Sequence, residues 1–498
     1  MSARSAGGRV LIASNRGPLS FTLGDDGQLT ARRGGGGLVS GLSSVAAEED
    51  LLWVCAALDD ADRAAARAAP GGLLDLDGTP GGSGVRLLDI PRATFDAAYN
   101  AVANSTLWFV SHLLYDTPNQ PSFGTAFRRD WESFRAYNAA FAGALAAAAD
   151  PGSPGGTSGA AGTSGPPVRA VVQDYHLALV PRMLADLRPG IRIAHFSHTP
   201  WAPPEYYRIL PAAVGRELLD GMLGADHAGF LSQRWADAFL DCCAEILGAA
   251  VDRAAQRVSY RGHSTRVAVY PLGVDADGLL ARAAEPDVED RLTALASATR
   301  GTRVIVRVDR TELSKNIGRG LAAYRELLIA HPEWRGRVTH VALAYPSRTG
   351  LPVYREYTET VQRLASEINE EFGTADWQPL MLEVLDDYAR SLAAYRIADV
   401  LLVNPIRDGM NLVAKEGPIL SDRGCALVLS TEAGAADELG SEAILVNPFD
   451  VTATAEALHE ALVMADSERT RRCAALAKAG AAMPPRLWFA QQLAALGS

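Results

Sequence analysis

Val400-Leu401-Leu402-Val403 runs into Asn404-Pro405-Ile406-Arg407-Asp408-Gly409-Met410-Asn411-Leu412-Val413-Ala414-Lys415-Glu416, and a helical pattern continues from there through Leu420. A buried strand, a tight polar loop and a helix start follow one another. The first amides of such a helix have no partner inside it and point outward, where an anion can sit. Gly409 lets the backbone approach a ligand closely, and a helix opening there makes Met410, Asn411 and Leu412 the first free donors. Asp408 can accept hydrogen bonds from sugar hydroxyls. Glu416, roughly two turns beyond a start at Gly409, can grip a ribose diol. The competing reading is an ordinary loop in which Asp408 caps the helix.

Size and composition narrow the field. A chain of 498 residues is too long for one core and calls for two domains or three. Hydrophobic residues are 48% and charged residues 21%, a globular balance, and the net charge of −11 argues against nucleic acid or an anionic membrane surface as partner. Cys55, Cys242, Cys243, Cys425 and Cys473 form no CxxC and no even framework, which fits reduced thiols in a cytoplasm. The short apolar run Val10 to Ala13 reads as a strand rather than a secretory signal.

In chain order, Val10-Leu11-Ile12-Ala13 is a first parallel strand ending in Ser14-Asn15-Arg16. A hairpin-like segment to Arg33 leads to Gly34-Gly35-Gly36-Gly37, whose glycines suit a phosphate or sugar pocket and equally a flexible loop. It is not a GxGxxG followed by an acidic strand end, so a dinucleotide dehydrogenase is disfavoured. Tyr99 and Trp108 are amphipathic aromatics of a kind that serves cores more often than sites. Residues 128–149 read as an Ala-rich helix, and 150–167 as a flexible surface insertion of Gly, Ser, Pro, Thr and Ala. Strands over 168–173 and 191–197 end in Asp174-Tyr175-His176 and His198-Thr199-Pro200. Asp174 and His198 therefore fall on the carboxyl edge of one sheet, where open α/β sheets bind ligands. Past Pro271 a second domain opens with the strand 304–308, which delivers Arg310 and Lys315 to one loop, a planar fork and a point charge within reach of one diphosphate. A later strand ends in Ser347-Arg348.

The loop Arg407 to Glu416 closely resembles the nucleotide-sugar loop of trehalose-6-phosphate synthases, retaining glycosyltransferases with twin Rossmann-like domains. In order along the chain, Ser14-Asn15-Arg16, Asp174-Tyr175-His176-Leu177, His198 before Pro200, the Arg310 and Lys315 pair and Ser347-Arg348 extend the resemblance to about Asp450. It implies an α/β fold of GT-B type: residues 1–270 as an acceptor domain, 271–455 as a nucleotide-sugar domain facing it across a cleft, and helices over 456–498 packing back on the first. It implies that Gly36, Gly37, Arg310, Lys315, Asp408 and Leu412 through Glu416, Val413 included, hold the donor. Arg16, Tyr99, Trp108, Asp174 and Arg348 would hold glucose 6-phosphate, with His198 against the transferred sugar. The chain departs from the family's pattern at Trp53-Val54-Cys55-Ala56, which lacks one acceptor-wall aromatic, at Trp201-Ala202, and at Asn316, where a glycine usually follows the lysine.

The expected chemistry is transfer of glucose to glucose 6-phosphate by a same-face substitution, with Arg310, Lys315, His198 and Asp174 as the catalytic set. Asp174 as a covalent nucleophile is the rival route. With cations already placed no metal is required, and Asp75-Leu76-Asp77 reads as a turn. Asp386 and Asp387 open a helix with Ser391 one turn on, and a carboxylate accepts guanine N1–H and N2–H₂ side by side, which favours GDP-glucose over the family's usual UDP-glucose. Helix capping by the same two acids is the alternative. The altered acceptor wall keeps open a pseudo-glycosyltransferase joining a nucleotide-activated cyclitol to a phosphorylated amino-cyclitol. A non-catalytic sugar-phosphate sensor on the same fold is the remaining class, although the loop cations such a sensor would lose are present. A homo-oligomer is compatible with the sequence, which does not fix it.

Overall fold

Aliphatic runs too apolar for a half-wetted strand become the centres of two parallel sheets, covered by helices on both faces. The computed structural model describes residues 9–24, 27–33, 51–69, 73–75, 84–149 and 168–497. Gly36, Gly37 and the insertion 150–167 lie outside the described residues. Two units separate, Met1–Pro271 with Pro485–Ser498, and Leu272–Pro484.

The first unit carries strands β1 Val10–Ser14, β2 Leu51–Ala56, β3 Leu73–Asp75, β4 Gly84–Leu88, β5 Arg169–Gln173, β6 Arg192–Ser197, β7 His227–Phe230, β8 Ala250–Asp252, β9 Arg257–Tyr260 and β10 His263–Val269. Their order is β8-β9-β10-β7-β6-β5-β1-β2-β4-β3, parallel from β10 to β4 with antiparallel strands at both edges. β1 is buried at every position between β2 and β5. From β1 the chain builds one half of the sheet through β2 and β4, then restarts at β5 and builds the other. The direction of growth therefore switches between β1 and β5, and a crevice opens beyond their carboxyl ends.

The second unit is a six-stranded parallel sheet of β11 Arg303–Arg310, β12 Val338–Tyr345, β13 Leu380–Val384, β14 Val400–Val403, β15 Ala426–Ser430 and β16 Ile444–Val446. Its order, β13-β12-β11-β14-β15-β16, is the doubly wound one, with the switch between β11 and β14. Ile305, Val400, Leu402 and Val428 from the sheet meet Leu321, Tyr324 and Leu327 of the helix Ile317–Ala330 in its core. The unit's first and last segments run side by side, with Gly273 N–H donating to the Met483 carbonyl at 2.7 Å and Val274 N–H to that of Gly480 at 2.9 Å.

The division differs from the expected one at the C-terminus. The helix Val451–Val463 buries Leu458, Ala461 and Leu462 in the second core, and the chain joins the first unit only from Pro485. Its apolar face is complementary to the second sheet, so residues 456–484 stay there. The final helix, Pro485–Ala495, does return to the first unit. Trp488 is buried, donates its indole N–H to the Tyr270 carbonyl at 3.1 Å, and meets the Phe196 ring edge-on at 4.7 Å. Among the described residues no helix is long and apolar enough to cross a membrane.

Trp488→Ala removes a large buried ring together with its hydrogen bond and is expected to destabilise the first unit by about 3–5 kcal/mol. Denaturant unfolding checks this, and a loss under about 1 kcal/mol would mean that the helix is only loosely docked.

Candidate functional site

In the second unit the loops that leave β11 and β14 flank the switch point, and one ion pair joins them. Lys315 Nζ lies 2.5 Å from Asp408 Oδ2. Burial acts to lower the ammonium's pKa, but the carboxylates of Asp408 and Asp309 outweigh it and the pKa is raised, so the lysine stays charged. Beneath the pair, the buried Arg307 guanidinium holds Asp309 Oδ2 at 2.7 and 3.1 Å and donates to the Lys315 carbonyl at 3.0 Å. Asn316 has φ 58°, a left-handed conformation that asparagine tolerates better than most residues, which explains how it replaces the family's glycine. Its amide donates to the carbonyls of Asn404 at 3.0 Å and Pro448 at 2.7 Å, tying both loops to the unit's far end.

Glu312 collects the remaining cations. Its side chain is fully buried, with Arg310 Nη1 at 3.1 Å, the Ser347 hydroxyl donating at 2.8 Å and Arg348 Nη1 at 3.8 Å. Burial alone would raise its pKa, yet Arg310, Arg348 and Lys315 hold it below the usual carboxylate range. Arg348 also donates to the Tyr354 hydroxyl at 2.7 Å and lies over that ring. Arg310, Lys315 and Arg348 thus surround one carboxylate, while the Arg310 side chain remains 53% exposed. Sequence reasoning missed Glu312. Its only signal is its position two residues after Arg310.

The helix after β14 begins at Val413, with Leu412 as its cap residue, rather than at Gly409. Asn411 sits at φ 78° and its side chain takes over the capping role, accepting the Ala414 N–H at 3.2 Å and donating to Asp408 at 3.2 Å. Gly409 and Met410 belong to the loop before it, and Glu416 falls in the helix's first turn. The amides of Leu412 and Val413 stand at the helix head. The loop leaves no room opposite, since a Cβ on Gly434 would lie 2.0 Å from the Gly409 carbonyl oxygen, while Ala435 N–H donates to the Met410 carbonyl at 2.8 Å. Lys415, fully buried, anchors the helix through Glu438 at 2.6 Å and the Leu272 carbonyl at 2.8 Å. Burial pushes the Glu416 carboxyl up to about 7, partly offset by the Tyr395 hydroxyl at 3.4 Å.

Asp387 is a helix cap. It accepts the Arg390 N–H at 2.9 Å and pairs with Arg291 at 2.8 Å, so both of its oxygens are engaged. Asp386 is exposed, and the buried Ser391 hydroxyl is bonded to that of Tyr345.

In the first unit Asn15 and Arg16 follow β1, and Asp174 follows β5, across that sheet's switch point. Asp174 is held at φ 74°, a conformation strained for a non-glycine residue. Its carboxylate accepts the His198 N–H at 3.2 Å and lies 3.7 Å from His176 Nδ1. His198 Nε2 donates to the Gln173 amide oxygen at 2.8 Å, which leaves Nδ1 as an acceptor. Burial pulls its pKa down to about 3, so this imidazole is neutral. Tyr99 stacks on His176 at 5.6 Å. Trp108 is buried, with its ring against His112 at 3.9 Å and Tyr175 at 6.0 Å. Arg16 is exposed beside Asn15, whose amide oxygen accepts from the Tyr137 hydroxyl at 2.6 Å. Trp53 is a core residue donating to the Ser14 hydroxyl at 2.7 Å. Among the described residues, His331, Glu333 and His459 bring ligand atoms within 4.8 Å of one another. Their two imidazoles stack face to face at 3.6 Å and so cannot aim at one ion without turning.

The second unit can bind a phosphorylated, hydroxyl-bearing ligand, and the first offers a neutral imidazole, a carboxylate and aromatic faces to a sugar. The family model for glycosyltransferase family 20 matches residues 8–496. A bifunctional trehalose-6-phosphate synthase/phosphatase of Thermoproteus tenax is 32% identical over 94% of this chain, which spans 60% of that protein's length. An E. coli trehalose-6-phosphate protein bound with UDP-2-fluoro glucose superposes with a TM-score of 0.83 at 26% identity, over 98% of this chain and 99% of its own. A UDP-forming alpha,alpha-trehalose-phosphate synthase from Burkholderia xenovorans in complex with glucose-6-phosphate gives 0.82 at 26% identity, over 99% and 100%.

Glu312→Gln leaves Arg310 and Arg348 without their shared counter-charge and should cost about 3–5 kcal/mol at neutral pH. The lowered pKa means that this stability is present above the unfolded carboxyl's value of 4.5 and is lost as the pH falls through the folded value. Denaturation at neutral and acid pH checks both points: the variant should be weaker at neutral pH, and the gap should narrow in acid.

Proposed function

The chain belongs to glycosyltransferase family 20, with the two Rossmann-like domains of GT-B type seen in trehalose-6-phosphate synthases, and on that footing we propose that it moves glucose, with retention, from a nucleoside-diphosphate glucose to glucose 6-phosphate, giving trehalose 6-phosphate. The observation that carries this reading is the Lys315–Asp408 pair across the second sheet's switch point, with Arg310 beside it and the helix head at Leu412 and Val413.

Bond breaking leaves charge on the departing diphosphate. Donors aimed there count most in the transition state, and Arg310, Lys315 and the amides of Gly409 to Val413 are assigned that task. Asp408 and Glu416 receive hydroxyls of the transferred sugar and the ribose. Arg16, Tyr99, Trp108, Asp174 and Arg348 are assigned to glucose 6-phosphate. His198, being neutral, serves as a hydrogen-bond partner rather than an acid. The leaving phosphate itself takes the acceptor's proton, so the same-face route needs no carboxylate pair, and Gly36 and Gly37 complete the donor set by the resemblance.

For the base we favour uracil over guanine. Asp387 is committed to its cap and to Arg291, which leaves guanine no paired acceptor there but the exposed Asp386. The Burkholderia relative is named UDP-forming. Turnover with UDP-glucose and glucose 6-phosphate is expected to exceed that with GDP-glucose by at least about tenfold, and a reversed preference would return the guanine reading.

Lys315→Ala is expected to keep the fold, judged by circular dichroism, and to lose about 10²–10³-fold in turnover. Near-normal turnover would remove the lysine from the leaving-group role. The raised Glu416 pKa means that its proton is held more tightly in the folded chain, so its contribution favours folding at low pH and fades as the pH rises through about 7. Donor binding should improve over the same interval as the carboxylate forms. KM for UDP-glucose should fall between about pH 6 and pH 8 in the native enzyme and stay flat in Glu416→Gln.

A further inference from the structure

The first sheet has a second polar concentration on its other edge. Where the amino ends of β6 and β7 meet β9 and β10, a cleft of about 210 Å³ is lined by Arg192, Asp226, His227, Arg257, Ser264 and Arg266, with no apolar side chain. The register explains the convergence. Arg266 pairs with His227 on one side and Arg257 on the other, and Ala194, two residues after Arg192, pairs with His227. Side chains alternate along a strand and registered neighbours share a face, so Arg192, His227, Arg266, Ser264 and Arg257 form one stripe across four strands.

The charges in this stripe are not balanced. Asp226 is occupied by Arg192 at 3.0 Å and the Ile193 N–H at 2.8 Å. Arg257 reaches the Ser264 hydroxyl at 3.1 Å, and among the described residues neither Arg257 nor Arg266 has an acidic partner. Asp252, which the register sets opposite Arg257 on the same face, turns its carboxylate to the Ala255 N–H at 3.0 Å, so three guanidiniums against these two carboxylates still leave an excess of positive charge on a face of a chain whose net charge is −11. His227 is only 7% exposed, and its Nδ1 has no hydrogen-bond partner. A buried polar atom left unsatisfied in this way is costly, and solvated surface arginines do not account for it.

We propose that this cleft is a second anion site that takes the phosphate group of a small metabolite or free phosphate. An anion matches the sign of the charge excess, the guanidinium forks fit phosphate oxygens, and His227 and Ser264 supply further polar contacts. The volume falls below that of a drug-sized ligand pocket and suits a phosphate with a short carbon body. The site is separate from the catalytic edge. Arg192 begins β6 and His198 follows its end, roughly 20 Å away along one strand.

The test is titration calorimetry of the full chain with inorganic phosphate and, in a second arm, glycerol 3-phosphate. Sites elsewhere persist in Arg257→Gln/Arg266→Gln, whose exposed positions leave the fold and the basal transfer rate unchanged. The expected result is the loss of one phosphate per chain, or at least about tenfold weaker binding at one site, in that variant, with Arg266→Lys intermediate because it keeps charge without the fork. Tighter binding of glycerol 3-phosphate than of phosphate identifies a metabolite site, and the reverse identifies a phosphate site. Equal number and affinity of bound anions in the native chain and the double variant, or no binding by the native chain, overturns the proposal.

Discussion

The Lys315–Asp408 pair is the interaction on which the second unit's site depends. On a solvated surface it would contribute little. Here it spans the gap where the sheet's connectivity reverses, and it works with two further bonds between the same loops, the Ile406 N–H to the Ser314 carbonyl at 2.8 Å and the Asn316 amide to the Asn404 carbonyl at 3.0 Å. Burying both charges is expensive, and the cost is offset only if the surroundings hold the geometry. Arg307 and Asp309 below, Asn316 stapling the lysine loop, and Asn411 reaching Asp408 from the other side provide that support. Opposite-charge neighbours also keep the lysine protonated, which an anion site requires.

The same topological rule operates in the first unit with different chemistry. Its switch point presents Arg16 from one loop and Asp174 from the other, and the surrounding groups are largely neutral. His198 is kept uncharged by burial, and Tyr99 and His176 offer stacked faces. Charge is concentrated where a diphosphate would depart, and hydrogen bonding and aromatic surface where a sugar would be held. That division follows from which residues end which strands.

Strand ends were the most legible feature of the sequence. Uninterrupted aliphatic runs identified the parallel strands, and the polar residues just beyond them, Asp174, His198, Arg310 and Asp408, lie on the carboxyl edges where expected. Departures arose where a side chain rather than the backbone pattern decides the structure. Asn411 adopts a left-handed conformation and moves the helix start to Val413, which propensity at Gly409 did not reveal. Asp387 spends its carboxylate on a cap and an arginine 96 positions away, a contact that only the fold creates. Glu312 carries no motif, and its importance comes from being buried among three cations. The helix Val451–Val463 has an apolar face whose partner could not be read from the chain, and it chose the second sheet.

The central claim is that the crevice between β11 and β14 receives the donor's diphosphate. A crystal structure of the chain soaked with UDP-glucose tests it most directly. The account predicts phosphate oxygens within hydrogen-bond distance of Arg310, Lys315 and the amides at Leu412 and Val413, with the ribose toward Glu416. Diphosphate density elsewhere, with the Lys315–Asp408 pair undisturbed and those amides facing only water, would contradict it.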